Sequence, residues 1–466
     1  MATASEHYLG IDIGTTSVKV CISAKRGDML HVVTSASRDT GAVIQTISPV
    51  EREQSPYKVI SSLLQCLAEL AVELVNNVVS VGVCGQMHGV VLWKRDLVWA
   101  DFSCKEKFEN KVSNLITWED RRCDNTFLTS LPNPSCDYPL CSGFGCCSIA
   151  WLAKHNPNYL SEYHMSGTIM DLVIYLLCKL SSPVTSEQCA YSWGYYSPVR
   201  RDWDREQLSH IGVPLDILPC VATTVIAGKL TVDLNGLKLG IPVSVGLGDM
   251  QCSVLSASPT PGDLVVNVGT SAQAVLLRHV REVCLQDAVT VVPYFNDSDI
   301  LVAAALNGGN VIAKFVEMLE CWSRDLGGSG MERDSVYEKI IELGLDCLNT
   351  DLNISPLLLG ERHCPDIKAS VSDIETSNLS LGSVSSALCR GIVENLAKML
   401  TPEFVRSQGA LRLIGCGSVF YRNKLVQEHF KNTYGLPLSL APPDACAALG
   451  ASIVVFKDKR DNNVIT

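Results

Sequence analysis

Ile11-Asp12-Ile13-Gly14-Thr15-Thr16 and Val266-Asn267-Val268-Gly269-Thr270-Ser271 read in the same frame: apolar, Asp or Asn, apolar, Gly, Thr, hydroxyl. They stand half a chain apart. Each follows a β-rich stretch and precedes another, residues 18–22 in the first case and 274–277 in the second. Self-similarity at so long a period points to duplicated units. The boundary is expected near residues 256–262, where Pro259 and Pro261 interrupt the pattern. Two domains follow, 1–257 and 258–466. Outward from the repeats, 8–22 reads as a hairpin and 78–84, 241–247, 264–267 and 411–414 as strands. Residues 56–75 carry Val59, Ile60, Leu63, Leu64, Leu67, Leu70 and Leu74 at helical spacing. Residues 384–400 and a segment from about Arg422 also read as helices. Short β-branched runs between amphipathic helices give an α/β class.

The composition narrows the function. The chain has 466 residues, room for two or three domains at roughly 150 residues each. Its 38 Lys and Arg face 49 Asp and Glu, a formal net charge of −11, which argues against binding nucleic acid through bulk positive charge. Apolar residues make up 47% and charged ones 19%, the balance of a chain with a sizeable core. Apolar stretches such as residues 172–178 fall far short of the ~18–20 a membrane span needs. Acidic Asp12 sits where a secretion leader would be apolar, so a cytoplasmic location is expected. The 20 cysteines are then expected as reduced thiols, adjacent Cys146 and Cys147 included, and no Cys-x-x-Cys offers a zinc or dithiol site. The segments 96–112 and 327–333 read as surface connections.

A hairpin tip of Gly14, Thr15, Thr16 and Ser17, or of Gly269, Thr270 and Ser271, has the chemistry of a phosphate cradle. Glycine permits a tight turn, successive backbone N–H groups make an anion-binding concavity, and the hydroxyls add neutral donors. Two such tips from duplicated domains would grip a polyphosphate from both sides. Asp12, just before the first tip, would repel phosphate unless a cation intervened. Mg²⁺ takes one or two carboxylates together with waters and substrate phosphates, so Asp12 reads as its partner, or as a turn-stabilising acid. A Gly-x-x-x-x-Gly-Lys-Ser/Thr loop and the protein-kinase signature set are both absent.

With Gly85-Gln86-Met87-His88-Gly89, Gly246-Leu247-Gly248-Asp249 and Gly360-Glu361-Arg362, these segments resemble the FGGY carbohydrate kinases, in their ketose branch, from about residue 8 to 455. The resemblance implies two ribonuclease-H-like domains of the actin-like ATPase and hexokinase superfamily around a central cleft. The ketose would lie on the N-terminal domain and ATP mainly on the C-terminal one. It implies transfer of the γ-phosphoryl of MgATP to a ketose, sedoheptulose first, giving sedoheptulose 7-phosphate for the pentose phosphate pathway. The enzyme would be a monomer or homodimer without nucleic-acid or membrane partners. Asp249 would be the general base and, with Asp12, a metal partner. Gln86, Met87, His88, Trp118, Asp120 and Gln251 would meet the sugar, Gln and His because each both donates and accepts hydrogen bonds. Asn307, Gly308, Gly415, Gly417 and Asn423 would join the two turns in holding ATP. Glu361 and Arg362 would support the cleft. Met250 stands where the family often has Asn or Gln, and Arg121 where it has Gly. Arg122 reads equally as a surface ion pair, and Asp171 as a helix cap or a substrate contact. Other readings are a kinase for another ketose, an actin- or chaperone-type ATPase, and a silent sugar-binding relative.

Overall fold

The computed structural model describes residues 6–27, 29–134, 139–257, 259–260, 262–278, 288–328, 332–361, 364 and 366–464. The chain divides into two compact units, Met1–Ser256 with Asp444–Thr466, and Ala257–Pro443. The first break falls where the prolines were read. The C-terminal segment, expected in the second domain, instead belongs to the first, because its helix packs on the first sheet.

In the first unit, β1 (His7–Ile13), β2 (Ser17–Arg26) and β3 (Met29–Asp39) form an antiparallel meander. The helix α1 (Pro56–Ala68) follows. Ser55 caps it by accepting from the Lys58 N–H, and Pro56, which lacks an N–H, occupies its first turn. Val59, Ile60, Leu63 and Leu67 are its buried stripe, each worth ~1.5–3 kcal/mol of transfer free energy. The helix stops short of residue 75, because Ala71 takes extended backbone before the short turn Val72–Val75. Then come β4 (Val78–Gly85), β5 (Ile226–Lys229) and β6 (Pro242–Gly248), giving a six-stranded sheet in the order β5-β6-β4-β1-β2-β3. Strands β1, β4 and β6 run parallel, and β5 is an antiparallel edge.

The C-terminal helix Ala447–Val464 lies on this sheet through glycines. A Cβ on Gly10 would fall 1.8 Å from the Ala448 carbonyl oxygen, and one on Gly82 would fall 2.1 Å from that of Ala451. Only hydrogen at those positions lets helix backbone approach strand backbone so closely.

The second unit repeats the plan with β7 (Asp263–Val268), β8 (Ala272–Arg278), β9 (Val289–Pro293), β10 (Asp299–Ala305), β11 (Arg412–Cys416) and β12 (Leu438–Leu440). The order is β9-β10-β8-β7-β11-β12, with β11 and β12 parallel to β7 and the others antiparallel to their neighbours. Set against the first sheet, β10-β8-β7-β11-β12 matches β3-β2-β1-β4-β6 strand for strand. The repeated sequences thus mark the same place in two copies of one topology, the turn after the first strand. The two turns differ in length. Ile13 pairs with Val18, but Val268 pairs with Ala272, so the first turn holds one residue more. The helix expected at 384–400 spans Leu381–Met399, and the one expected from 422 is split into Ser418–Arg422 and Lys424–Tyr434.

Candidate active site

Three parallel neighbours deliver the acids. Gly85 at the end of β4 pairs with Ile13 on one side and Gly248 on the other. Asp12, Gln86 and Asp249 therefore converge at the carboxyl ends of β1, β4 and β6, where ligands of parallel sheets bind. Asp249 opens the helix Asp249–Ser256, and the Met250 N–H donates to its Oδ1 at 2.7 Å. Burial lifts the Asp249 carboxyl to about 6, against the pull of that N–H. Burial and the nearby Asp249 charge lift Asp12 to about 8, partly opposed by Lys19, its partner across the hairpin. Two acids brought together in a half-buried setting call for a cation. Their donors are hard oxygens, which fits Mg²⁺. Among the described residues no group of three or more His, Cys, Asp or Glu stands together as a metal cage.

Beneath this edge, Met87 and Gln251 are buried. A Cβ on Gly248 would meet Gln251 Oε1 at 2.1 Å and Met87 Sδ at 2.6 Å. Both side chains, expected at the sugar, press on the strand that carries Asp249.

Gln86 does not face open space either. Its Nε2 donates to Gln54 Oε1 at 3.0 Å and to the Gly14 carbonyl at 3.4 Å, and its Oε1 accepts from the Thr15 hydroxyl at 3.4 Å. Trp118, 40% exposed, donates from Nε1 to Thr15 Oγ1 at 2.9 Å. Its indole is tied directly to the phosphate-type turn. Gln54 was missed in the sequence reading. The one cue was a glutamine directly before a Ser-Pro helix start, too weak to single out.

His88 has left-handed backbone (φ 71°), unusual for a residue with a side chain. Its Nδ1 donates to the Ser192 carbonyl at 2.9 Å, and its ring stacks on Phe144 with centroids 4.9 Å apart. A carbonyl only accepts, so Nδ1 carries the proton of this hydrogen bond.

Asp120 departs from expectation. Its Oδ1 accepts from Arg122 N at 3.0 Å and Nε at 2.8 Å, and its Oδ2 from Arg122 Nη2 at 2.9 Å and Arg52 N at 2.8 Å. Both oxygens are spent and buried, so Asp120 holds the wall behind Trp118 instead of offering itself to a sugar. Arg122 is likewise no surface ion pair. Its side chain is buried, and it also reaches Glu53 at 2.6 Å. Burial alone would depress the guanidinium, but the hydrogen bonds to Asp120 and Glu53 hold it above its ordinary value.

Asp171 closes a capping box with Thr168. Burial raises it to about 7 despite the hydrogen bonds from Thr168. A carboxyl raised from 3.8 binds more protons folded than unfolded between those limits. Its contribution is therefore full at low pH and lost as pH rises towards about 7, at up to ~1.4 kcal/mol per pH unit. Urea unfolding across pH 4–8 is expected to show this decline in the wild type and a shallower one in Asp171→Asn, where Asp12 and Asp249 still contribute.

In the second unit, the helix Gly309–Asp325 is stapled to the turn. Gly309 N–H donates to the Gly269 carbonyl at 2.9 Å and Asn310 N–H to that of Thr270 at 3.0 Å, while Thr270 and Ser271 stay exposed. A Cβ on Gly308 would lie 2.4 Å from the Ser271 carbonyl carbon, so Gly308 supports the turn at contact distance. Asn307 is fully buried. Its Nδ2 donates to Gly360 O and Glu361 Oε1, and its Oδ1 accepts from Leu359 N. It braces Glu361, which also accepts from Leu306 N and Asn395 Nδ2, and has no side-chain atom left for ATP. Arg362 lies outside the described residues. Gly417 has φ 92° and opens the helix Ser418–Arg422, and a Cβ there would meet Asn267 Oδ1 at 2.3 Å. Gly415 packs under Phe420. Asn423 is buried and caps Lys424–Tyr434, its Oδ1 accepting from the Val426 N–H at 3.0 Å, a local use of the side chain expected at ATP.

Residues 7–256, the whole strand-and-helix body of the first unit before the crossover, match the family model described as the FGGY family of carbohydrate kinases, N-terminal domain. The chain belongs to this family. It is 40% identical over 465 residues to human sedoheptulokinase, covering 96% of this chain and 97% of that protein. Among solved structures, an FGGY-type neighbour is xylulose kinase from Rhodospirillum rubrum, with a TM-score of 0.80, 18% identity, and 97% and 89% of the two chains covered. Another is the Plasmodium falciparum glycerol kinase with ADP, with a TM-score of 0.77, 16% identity, and 98% and 90% covered. These two share the fold of the chain, which as an FGGY member consists of two ribonuclease-H-like units of the actin-like ATPase type. As an FGGY member the chain is an ATP-dependent sugar kinase. Among the described residues no helix is long and apolar enough to cross a membrane.

Proposed function

We propose that this kinase phosphorylates sedoheptulose on a primary hydroxyl to give sedoheptulose 7-phosphate, with Asp249 as general base. The observation that carries the base is the meeting of Asp249 and Asp12 at one strand edge, beside a turn tied to Trp118. The near full-length similarity to human sedoheptulokinase supports the substrate.

In this reading Trp118 supplies an apolar face and His88 a polar one for the ketose. Asp249 accepts the proton of the attacking hydroxyl, which only a deprotonated carboxylate can do. Asp12 and Asp249 would hold Mg²⁺, which when bound neutralises charge developing on the transferred phosphoryl. Thr270 and Ser271, with the helix N-terminus seated behind them, offer N–H and hydroxyl donors to the ATP phosphates, while Gly269 gives its N–H to the Ser271 carbonyl and shapes the turn. Thr16 and Ser17 do the same on the first unit, where Gly14 gives its own N–H to the Ser17 carbonyl and shapes the turn, and the loop of Gly415 and Gly417 is the nucleoside contact in this reading. Thr15 contributes backbone, since its hydroxyl already serves Trp118 and Gln86.

The test is ADP release from MgATP with sedoheptulose, xylulose, ribulose, fructose and glycerol, and without any acceptor. Fast turnover with sedoheptulose and little without sugar is the expected result. A faster rate with another ketose would move the substrate and keep the kinase. Equal rates with and without sugar would replace the kinase reading with that of an ATPase.

A further inference from the structure

The peptide between Thr15 and Thr16 is held from behind. Its carbonyl oxygen accepts from Gln54 Nε2 at 2.6 Å and from Thr40 Oγ1 at 3.3 Å. A trans peptide is planar, so its N–H points opposite to its C=O. Fixing the Thr15 carbonyl inward therefore aims the Thr16 N–H outward, on the side where Thr16 is exposed. That aim is what a phosphate cradle requires of its donors. Were the carbonyl released, the peptide could rotate and present an oxygen to an anion in place of a donor.

Gln54 is suited to hold it. It is 2% exposed and stands at the end of the short strand Glu53–Gln54, pinned by Val43 on one side and Leu115 on the other. Its amide orientation is dictated at both ends. Nε2 must face Thr15 O, which only accepts, and Oε1 receives Gln86 Nε2 at 3.0 Å. Gln86 in turn reaches Gly14 O, and the Thr15 hydroxyl joins Gln86 to Trp118. One chain of hydrogen bonds thus runs from the proposed sugar wall to the proposed phosphate turn, with Gln54 at its centre.

We infer that Gln54 is a positioning residue for phosphoryl transfer: it sets the direction of the Thr15–Thr16 peptide and so makes Thr16 N–H a donor to the transferred phosphate. The inference rests on reading residues 14–17 as a phosphate turn. Gln54 itself touches no substrate.

Two variants of similar size test it. Gln54→Glu puts an acceptor against the Thr15 carbonyl, and Gln54→Met keeps the bulk and donates nothing. Both are expected to lower kcat by ~10–100-fold, the scale of a misplaced group about 1 Å from its productive position. KM for sedoheptulose is expected to stay within ~3-fold of wild type; Gln54→Met, which adds no buried charge, is expected to melt nearer to wild type than Gln54→Glu, and kcat is read well below both midpoints. In parallel, hydrogen exchange of the peptide spanning 14–17 is followed with and without a non-hydrolysable MgATP analogue. Protection is expected in the wild type and lost in both variants. Variants with wild-type kcat and wild-type protection would overturn the inference. So would a loss of kcat that merely tracks a lowered melting point. If no sugar stimulates the wild type, the kinase reading falls and the exchange experiment decides alone. Protection lost in the variants keeps Gln54 in its role. Equal protection, or none in the wild type, removes it.

Discussion

Asp249→Asn is expected to lower kcat by ~10²–10⁴-fold, the usual contribution of a general base, with KM for the sugar changed far less. The substitution keeps the shape of the side chain. Asn Oδ1 still accepts the Met250 N–H that Asp249 holds at 2.7 Å, so the helix Asp249–Ser256 keeps its first turn. What is lost is the ability to take a proton and the negative charge beside Asp12. Losing the charge relieves Asp12, whose carboxyl Asp249 helps to push up. The variant is therefore expected to fold at least as stably as the wild type while turning over poorly. Steady-state kinetics with sedoheptulose, set beside thermal unfolding, separate the two effects. A variant that retains more than about a tenth of wild-type kcat would remove Asp249 from the role of base. Asp12→Asn serves as the comparison. It deletes a metal partner and leaves the base, so its loss is expected to be relieved in part by higher Mg²⁺, whereas that of Asp249→Asn is not.

Arg122→Met should destabilise the first unit by ~3–5 kcal/mol, the cost of stranding buried charge by removing one partner. The Arg122 side chain is 6% exposed and that of Asp120 0%. Between them they make three hydrogen bonds through the guanidinium Nε and Nη2 and the Arg122 N–H, and Nη2 also reaches Glu53. The guanidinium further sits 5.6 Å from the Trp151 ring centroid. Methionine fills much of the volume, so cavity formation contributes little. The penalty comes from two carboxylates left without their cation. Asp120→Asn is expected to cost less, because Arg122 keeps Glu53 and the Arg52 N–H keeps an acceptor. Urea unfolding of both variants checks the order. A cost below ~1 kcal/mol for Arg122→Met would show that water reaches this cluster and that its charges are solvated. Glu53 adjoins Gln54, and Asp120 lies two residues from Trp118, so a weakened triad should also raise KM for the sugar.

Local chemistry was legible in the chain. The duplicated Gly-Thr segments announced two copies of one hairpin, because a turn's residue types follow from its own backbone geometry. Asp12 could be picked out from its place before the turn, and Asp249 from the family resemblance that its glycine-flanked segment carries. The strands read at 78–84 and 241–247, found at Val78–Gly85 and Pro242–Gly248, obey rules that span a few residues.

Which partner a polar side chain takes across the fold was not legible. Asp120 looked free for a sugar, and only folding shows Arg52 and Arg122 consuming both oxygens. Asn307 and Asn423 looked like nucleotide contacts until Glu361 and the Val426 N–H claimed them. Gln54 drew no notice, since its worth comes from Thr15, 39 positions away in the chain. The placement of the C-terminal helix on the first sheet was equally hidden, because it depends on two missing Cβ atoms, at Gly10 and Gly82, meeting a helix at the far end of the sequence. Backbone geometry is written in neighbouring residues, whereas the pairing of buried donors, acceptors and charges is settled only when distant segments exclude water together. The sequence by itself determined the repeated topology and the acids at its strand ends. The tertiary structure decided which of the polar residues around them remain available for chemistry.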